Sequence, residues 1–165
     1  MKREDRIRFA LLFGALVLAQ FTVRGRFAGE RAAPDFLLLA LQFYAIRAEP
    51  GAGAVAGFFL GLLRDALTPA SFGSGALAHT LVGYLTGWGK AVFFVENVIA
   101  NGVFFFAGTW LRNAVVALAS GTLRDDRVVH ELLVTSPLQG LTTAAVGVAL
   151  LLVFRGWPAV RPRVL

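Results

Sequence analysis

The chain contains no cysteine, which excludes disulfides and thiolate metal sites. Histidine is almost as scarce. His79 and His130 are the only two, they lie in different segments, and neither has ligand spacing around it, so no metal is expected. No glycine cluster is followed by the Lys-Ser or Lys-Thr of a phosphate loop. Ser71 and Ser74 have no base beside them, which leaves no activated nucleophile. Charge is sparse too, at 16% of residues against about 25% in an ordinary soluble domain. Nor is there a polar stretch long enough for a separate soluble catalytic domain, which needs at least about 50 residues. These absences point to a non-enzyme without a cofactor.

What is present is apolar. Of the 165 residues 57% are hydrophobic, and the mean hydropathy is +0.69. The expectation is one integral membrane domain over residues 1–165, an all-α polytopic bundle of about six transmembrane helices. The net charge of +6 comes from basic residues scattered between apolar runs, not gathered on one face. That distribution excludes nucleic acid as the partner and favours membrane lipid with anionic headgroups.

The first run, Ile7 to Val23, follows the basic leader MKREDRIR and is longer than a signal-peptide core, so it reads as a retained first helix. A polar loop, Arg24 to Ala33, precedes Pro34, which suits the first position of helix two, Pro34 to about Ala48. Helix three runs from about Ala52 to Thr68 and helix four from about Gly73 to Trp88. A turn at Lys90 leads into a long apolar stretch, Ala91 to Ala119. The polar loop GTLRDDRVVHE separates it from helix six, about Leu132 to Phe154, with Pro137 near its start. Helices two and three are short for a hydrocarbon core of about 30 Å, and belong either in thinned bilayer or deep in the bundle. Both basic ends fit a cytoplasmic placement of the two termini.

Within helix three, Gly53, Gly57, Gly61 and Asp65 recur every fourth residue and therefore line one face. Glycines at this spacing let a second backbone approach closely, which is how helices associate where lipid provides no hydrophobic drive. Asp65 ends the stripe. A carboxylate costs about 2.5–3.5 kcal/mol at mid-bilayer, so it must face protein or water, either paired with an arginine or lying in headgroup water. Arg64 is about 100° round the helix and is not an automatic partner. Helix four carries a second stripe, Gly75, His79, Gly83 and Gly87, in which His79 reads as a polar contact of the seam. Further on, Asn97, Asn101, Gly108 and Arg112 share one face, with Glu96 at its shoulder. Such a buried polar face either bonds neighbouring helices or binds a ligand or partner.

The order PDFLLLALQFYAIR, GFFLGLLRDAL and FGSGALAHTLVGYLTG resembles the rod shape-determining MreD family. The matching positions are Pro34, then Gly57, Phe58, Gly61, Leu62 and Asp65, then Gly75, Gly83, Tyr84 and Leu85. Arg64 stands where an apolar residue is expected. The resemblance implies a multi-pass protein of the bacterial inner membrane that binds MreC in the cell-wall elongation complex, alongside RodA, a penicillin-binding transpeptidase and MreB. It also implies a fold similar to the S components of energy-coupling vitamin transporters. A substrate-binding S component is accordingly the alternative function. A vitamin pocket would bring aromatic and polar groups together from the outer loops. Trp88, Trp110 and Trp157 instead fall near span ends, as interfacial anchors do.

Overall fold

The computed structural model describes residues 3–22, 32–66, 71–89 and 98–154. Among them the regular elements are six helices: α1 (Arg3–Thr22), α2 (Phe36–Ala45), α3 (Pro50–Asp65), α4 (Ser74–Gly89), α5 (Val98–Ala119) and α6 (Asp126–Val153). Successive helices are packed neighbours. They run antiparallel wherever side chains report the direction: Gln20 at the end of α1 meets Phe36 at the start of α2, and Gly53 of α3 faces Gly83 of α4. One end of the bundle therefore collects the C-termini of α1, α3 and α5 with the N-termini of α2, α4 and α6. The Asp65 cap and the Asp35 charge cluster described below lie towards that end.

Helix α2 is the axis. Nine of its ten residues are buried, and it touches each of the other five helices. Leu39, Ala40 and Phe43 pack with Leu16 and Phe105 on one side; Leu37, Leu38 and Leu41 meet Leu60 and Val82 on the other. An all-round apolar helix is expected to be buried all round. At about 1.5 Å per residue, ten residues extend only about 15 Å, less than the expected span from Pro34 to Ala48. The helix starts late because Asp35 is its N-cap: the carboxylate accepts the Leu38 N–H at 3.0 Å, and Pro34 stands outside instead of at the first helical position. The remaining free N–H groups of a buried helix start must also be met. Gln20 Oε1 accepts those of Phe36 and Leu37, at 3.0 and 3.4 Å, while Thr143 Oγ1 accepts that of Asp35 at 3.0 Å.

The last helix also begins away from its expected position. Residues expected to form the loop GTLRDDRVVHE instead make a short 3-10 turn, Thr122–Arg124, and then the first turns of α6. Asp125 caps that helix by accepting the Arg127 N–H at 2.9 Å. Between Glu131 and Thr135 the helix widens into a π-turn, in which the Ser136 N–H reaches back to the Glu131 carbonyl. Pro137 follows directly; it has no N–H and its ring crowds the preceding turn, and a π-turn relieves both.

The surface is apolar. Phe58, Phe59, Leu77, Trp88, Ile99, Val103, Leu118 and Leu133 are all exposed, the inverse of a water-soluble surface. Helices α5 and α6 are long and apolar enough to cross a membrane; Ile7–Thr22 and Phe36–Ala45 are apolar but shorter. Trp88 sits at the end of α4, whereas Trp110 lies well inside α5, so only the first has an interfacial position. Trp157 and Lys90 lie outside the described residues.

Candidate functional site

Among the described residues, helices α3 and α4 form the most extensive helix pair. Gly53, Gly57 and Gly61 of α3 face Gly83, His79 and the Gly75–Ala76 step of α4, backbone against backbone. A Cβ added at Gly57 would lie 2.6 Å from the His79 carbonyl carbon; at Gly61, 2.8 Å from the Ala76 nitrogen; at Gly83, 2.8 Å from the Gly53 carbonyl carbon. At the opposite end Gly87 would meet the Pro50 Cα at 2.8 Å. The two stripes thus meet each other, and neither is left open to receive a helix from another protein.

Asp65 closes the seam, 3% exposed. Neither position expected for it, an arginine pair or headgroup water, is the one it occupies. Its carboxylate accepts three backbone N–H groups at the start of α4: Gly73 at 2.9 Å, Gly75 at 3.1 Å and Ala76 at 2.9 Å. The charge meets the positive end of the α4 dipole and the otherwise free donors there. The turn preceding α4 needs Gly73, whose φ of +96° is left-handed backbone that other side chains rarely adopt. Gly75 must stay small because a Cβ there would lie 3.0 Å from the Asp65 Cγ. Asp65→Leu leaves three donors unmet, and should cost more than the roughly 0.5–2 kcal/mol of an ordinary cap loss. Asp65→Asn keeps one acceptor oxygen and should lose less. Melting temperatures of the two purified variants check this ordering; equal stabilities would contradict it.

Beside the seam lies a buried charge cluster. Asp35, fully buried at the start of α2, presents Oδ2 to Arg64 Nη1 of α3 at 2.7 Å and also to Arg112 Nη2 of α5. The Arg64 and Arg112 side chains are themselves 16% and 6% exposed. One carboxylate joins three helices through two charge-assisted hydrogen bonds. His79 is nearby in the bundle and wholly buried; its Nδ1–H donates to the Gly75 carbonyl at 2.8 Å, which leaves Nε2 as the acceptor nitrogen.

The polar face of α5 is continuous with this cluster. Asn101, Gly108 and Arg112 are buried. A Cβ at Gly108 would lie 3.1 Å from the Gln42 Cδ, so this glycine admits the Gln42 amide, which donates to the Phe104 carbonyl at 3.3 Å. One residue past Arg112, Asn113 donates to Ser136 Oγ at 2.9 Å and Gln139 Oε1 at 3.0 Å, tying α5 to α6. Gln139 in turn donates to the Ala33 carbonyl at 3.2 Å. Glu96 and Asn97, expected on the same face, lie outside the described residues. Asp35, Asn113 and Gln139 carry no site signal in the sequence, and Arg64 stands out there only as a charge where an apolar residue is expected. For Asp35 a local signal exists, an Asp directly before an apolar helical run, but it indicates a cap and not an ion pair.

Among the described residues no group of three or more His, Asp and Glu side chains could hold a metal ion. The arrangement can hold helices together; among the described residues it sets no nucleophile beside a base.

The family model described as rod shape-determining protein MreD matches residues 6–155, nearly the whole chain. No curated protein and no solved structure matches it.

Proposed function

We propose that this chain, which belongs to the rod shape-determining MreD family, is a non-enzymatic component of the inner-membrane complex that elongates the cell wall. The family match carries the reading, and assigns the chain a part in determining cell shape. In the proposal it binds MreC and through it supports RodA, a penicillin-binding transpeptidase and MreB. Both termini are cytoplasmic in this reading, which puts the charge cluster in the outer half of the bundle. Two features support a scaffold role: a seam of backbone contacts, and a buried cluster that joins three helices.

The seam is filled from within, so its contribution to partner binding is indirect. It fixes how α3 and α4 present their outer surfaces, where Phe58, Phe59, Leu77, Leu81 and Tyr84 are exposed. An MreC helix docking on the bundle would meet such a surface, and not the glycines. Co-expression with MreC from the same bacterium and purification on a tag carried by this chain tests the assignment. MreC should be recovered in stoichiometric amount. A well-folded chain recovered without MreC, and with a tightly held vitamin in its place, would favour a transporter S component.

A further inference from the structure

Beside the charge cluster the bundle contains a cavity of about 490 Å³, bounded by the end of α3, the C-terminal turns of α5 and the π-turn of α6. Its volume falls within the range of small-molecule sites, about 300–1,000 Å³. We propose that it is a water-filled vestibule, and that it takes small uncharged molecules able to donate a hydrogen bond, amides and alcohols, in place of that water.

Three neutral groups carry the assignment. Ser71 before α4, Asn113 of α5 and Thr135 of the π-turn all line the cavity and are half-buried. The bonding of Asn113 follows from a chain of contacts that begins at a carbonyl. The Ala33 carbonyl can only accept, so Gln139 meets it with Nε2 at 3.2 Å, which turns Oε1 towards Asn113. Asn113 must meet that oxygen with Nδ2, whose second hydrogen goes to Ser136 Oγ. Both of its donors are then engaged. What remains is Oδ1, an acceptor, and it has no partner among the described residues. The hydroxyls of Ser71 and Thr135 have none there either, whereas those of Ser120, Thr122 and Ser136 on the same wall are bonded within the chain. Unmet polar groups are costly in a bundle surrounded by hydrocarbon, and water meets them wherever there is room. At about 30 Å³ for each molecule in the liquid, this cavity holds several. A lipid chain offers these groups nothing. Phosphodiester and carboxylate oxygens serve the two hydroxyls but not Asn113 Oδ1, which demands a donor. An amide or alcohol supplies both kinds of bond, and Val116, Val128 and Leu132 cover its carbon atoms. Arg64, Arg112 and Glu131 bring both signs of charge to the wall, so a neutral occupant suits it.

The absence of cysteine makes the test direct, since a single introduced thiol is the only one present. Val116→Cys and Thr135→Cys place it on the cavity wall, on two different helices. Leu118→Cys and Leu133→Cys place it two residues away on the same helices, on the exposed apolar surface at nearly the same depth. Each variant is held in lipid nanodiscs, which leave both faces open to solution, and treated with iodoacetamide, a small neutral amide that alkylates the thiolate. A thiol in water ionises more readily than one against hydrocarbon. Val116→Cys and Thr135→Cys should therefore react at least about tenfold faster than their surface counterparts, the effect of one unit in thiol pKa. Equal rates within both pairs would overturn the vestibule. A second arm adds acetamide in excess, which offers the same amide without the reactive carbon. It should slow alkylation of Val116→Cys and Thr135→Cys and leave Arg127→Cys, exposed at the start of α6, unchanged. Fast alkylation on the cavity wall that acetamide does not slow would overturn the ligand site and leave water as the sole occupant.

Discussion

Asp35→Leu is expected to destabilise the bundle by about 3–5 kcal/mol, the cost of removing one partner from a buried ion pair. The effect should exceed that of any substitution on the exposed apolar surface, because Asp35 has two cationic partners. Arg64 at 2.7 Å and Arg112 would both keep their charge and lose their carboxylate, and the Leu38 N–H would lose its cap. Against native stabilities of about 5–15 kcal/mol, such a loss should abolish accumulation of the protein in membranes. Adding Arg64→Met and Arg112→Met to Asp35→Leu should recover part of it, since an apolar replacement removes the stranded charges as well. Membrane abundance and melting temperature in detergent are the measurements. A single variant as stable as the parent would mean that the cluster contributes nothing.

Gly57→Leu should be nearly as damaging, for a different reason. Overfilling a packed core usually costs about 1–3 kcal/mol because side chains shift to make room. Here the new side chain would meet main chain. The first added carbon would lie 2.6 Å from the His79 carbonyl carbon and 3.0 Å from the Thr80 Cα, and neither can move unless α4 moves as a body. The separation would carry Asp65 away from the three N–H groups it caps and His79 away from its place under the cluster. Gly51→Leu is the matched control, because a Cβ there meets nothing within 4 Å. Melting of the two variants side by side should show a large loss for Gly57 and little for Gly51; similar losses would mean that the seam is loose.

The seam was the most legible element in the sequence, because a four-residue period states directly which positions share a helix face. Periodicity does not say what lies opposite. Only the packed structure sets Gly53 against Gly83 and Gly57 against His79, and thereby excludes a foreign helix from the groove. Asp65 was readable as a carboxylate that had to face protein. Its three amide partners were not, since they belong to the turn and first residues of the next helix. The charge cluster was illegible for a plainer reason: Asp35 is 29 residues from Arg64 and 77 from Arg112, and nothing local to any of them marks the pairing. The start of α6 was missed for the opposite one. Polar composition over GTLRDDRVVHE outweighed a local helix signal, the Asp125 cap, that was there to be read.

The claim that this chain acts in determining cell shape is tested most directly by complementation. The unmodified chain, expressed together with its own MreC, is introduced into a rod-shaped bacterium depleted of its MreD, and cell length-to-width ratio is measured by microscopy. The account predicts return to rods with the unmodified chain and round cells with Asp35→Leu. Cells that stay round although the unmodified chain reaches normal abundance in the membrane and retains MreC would contradict it.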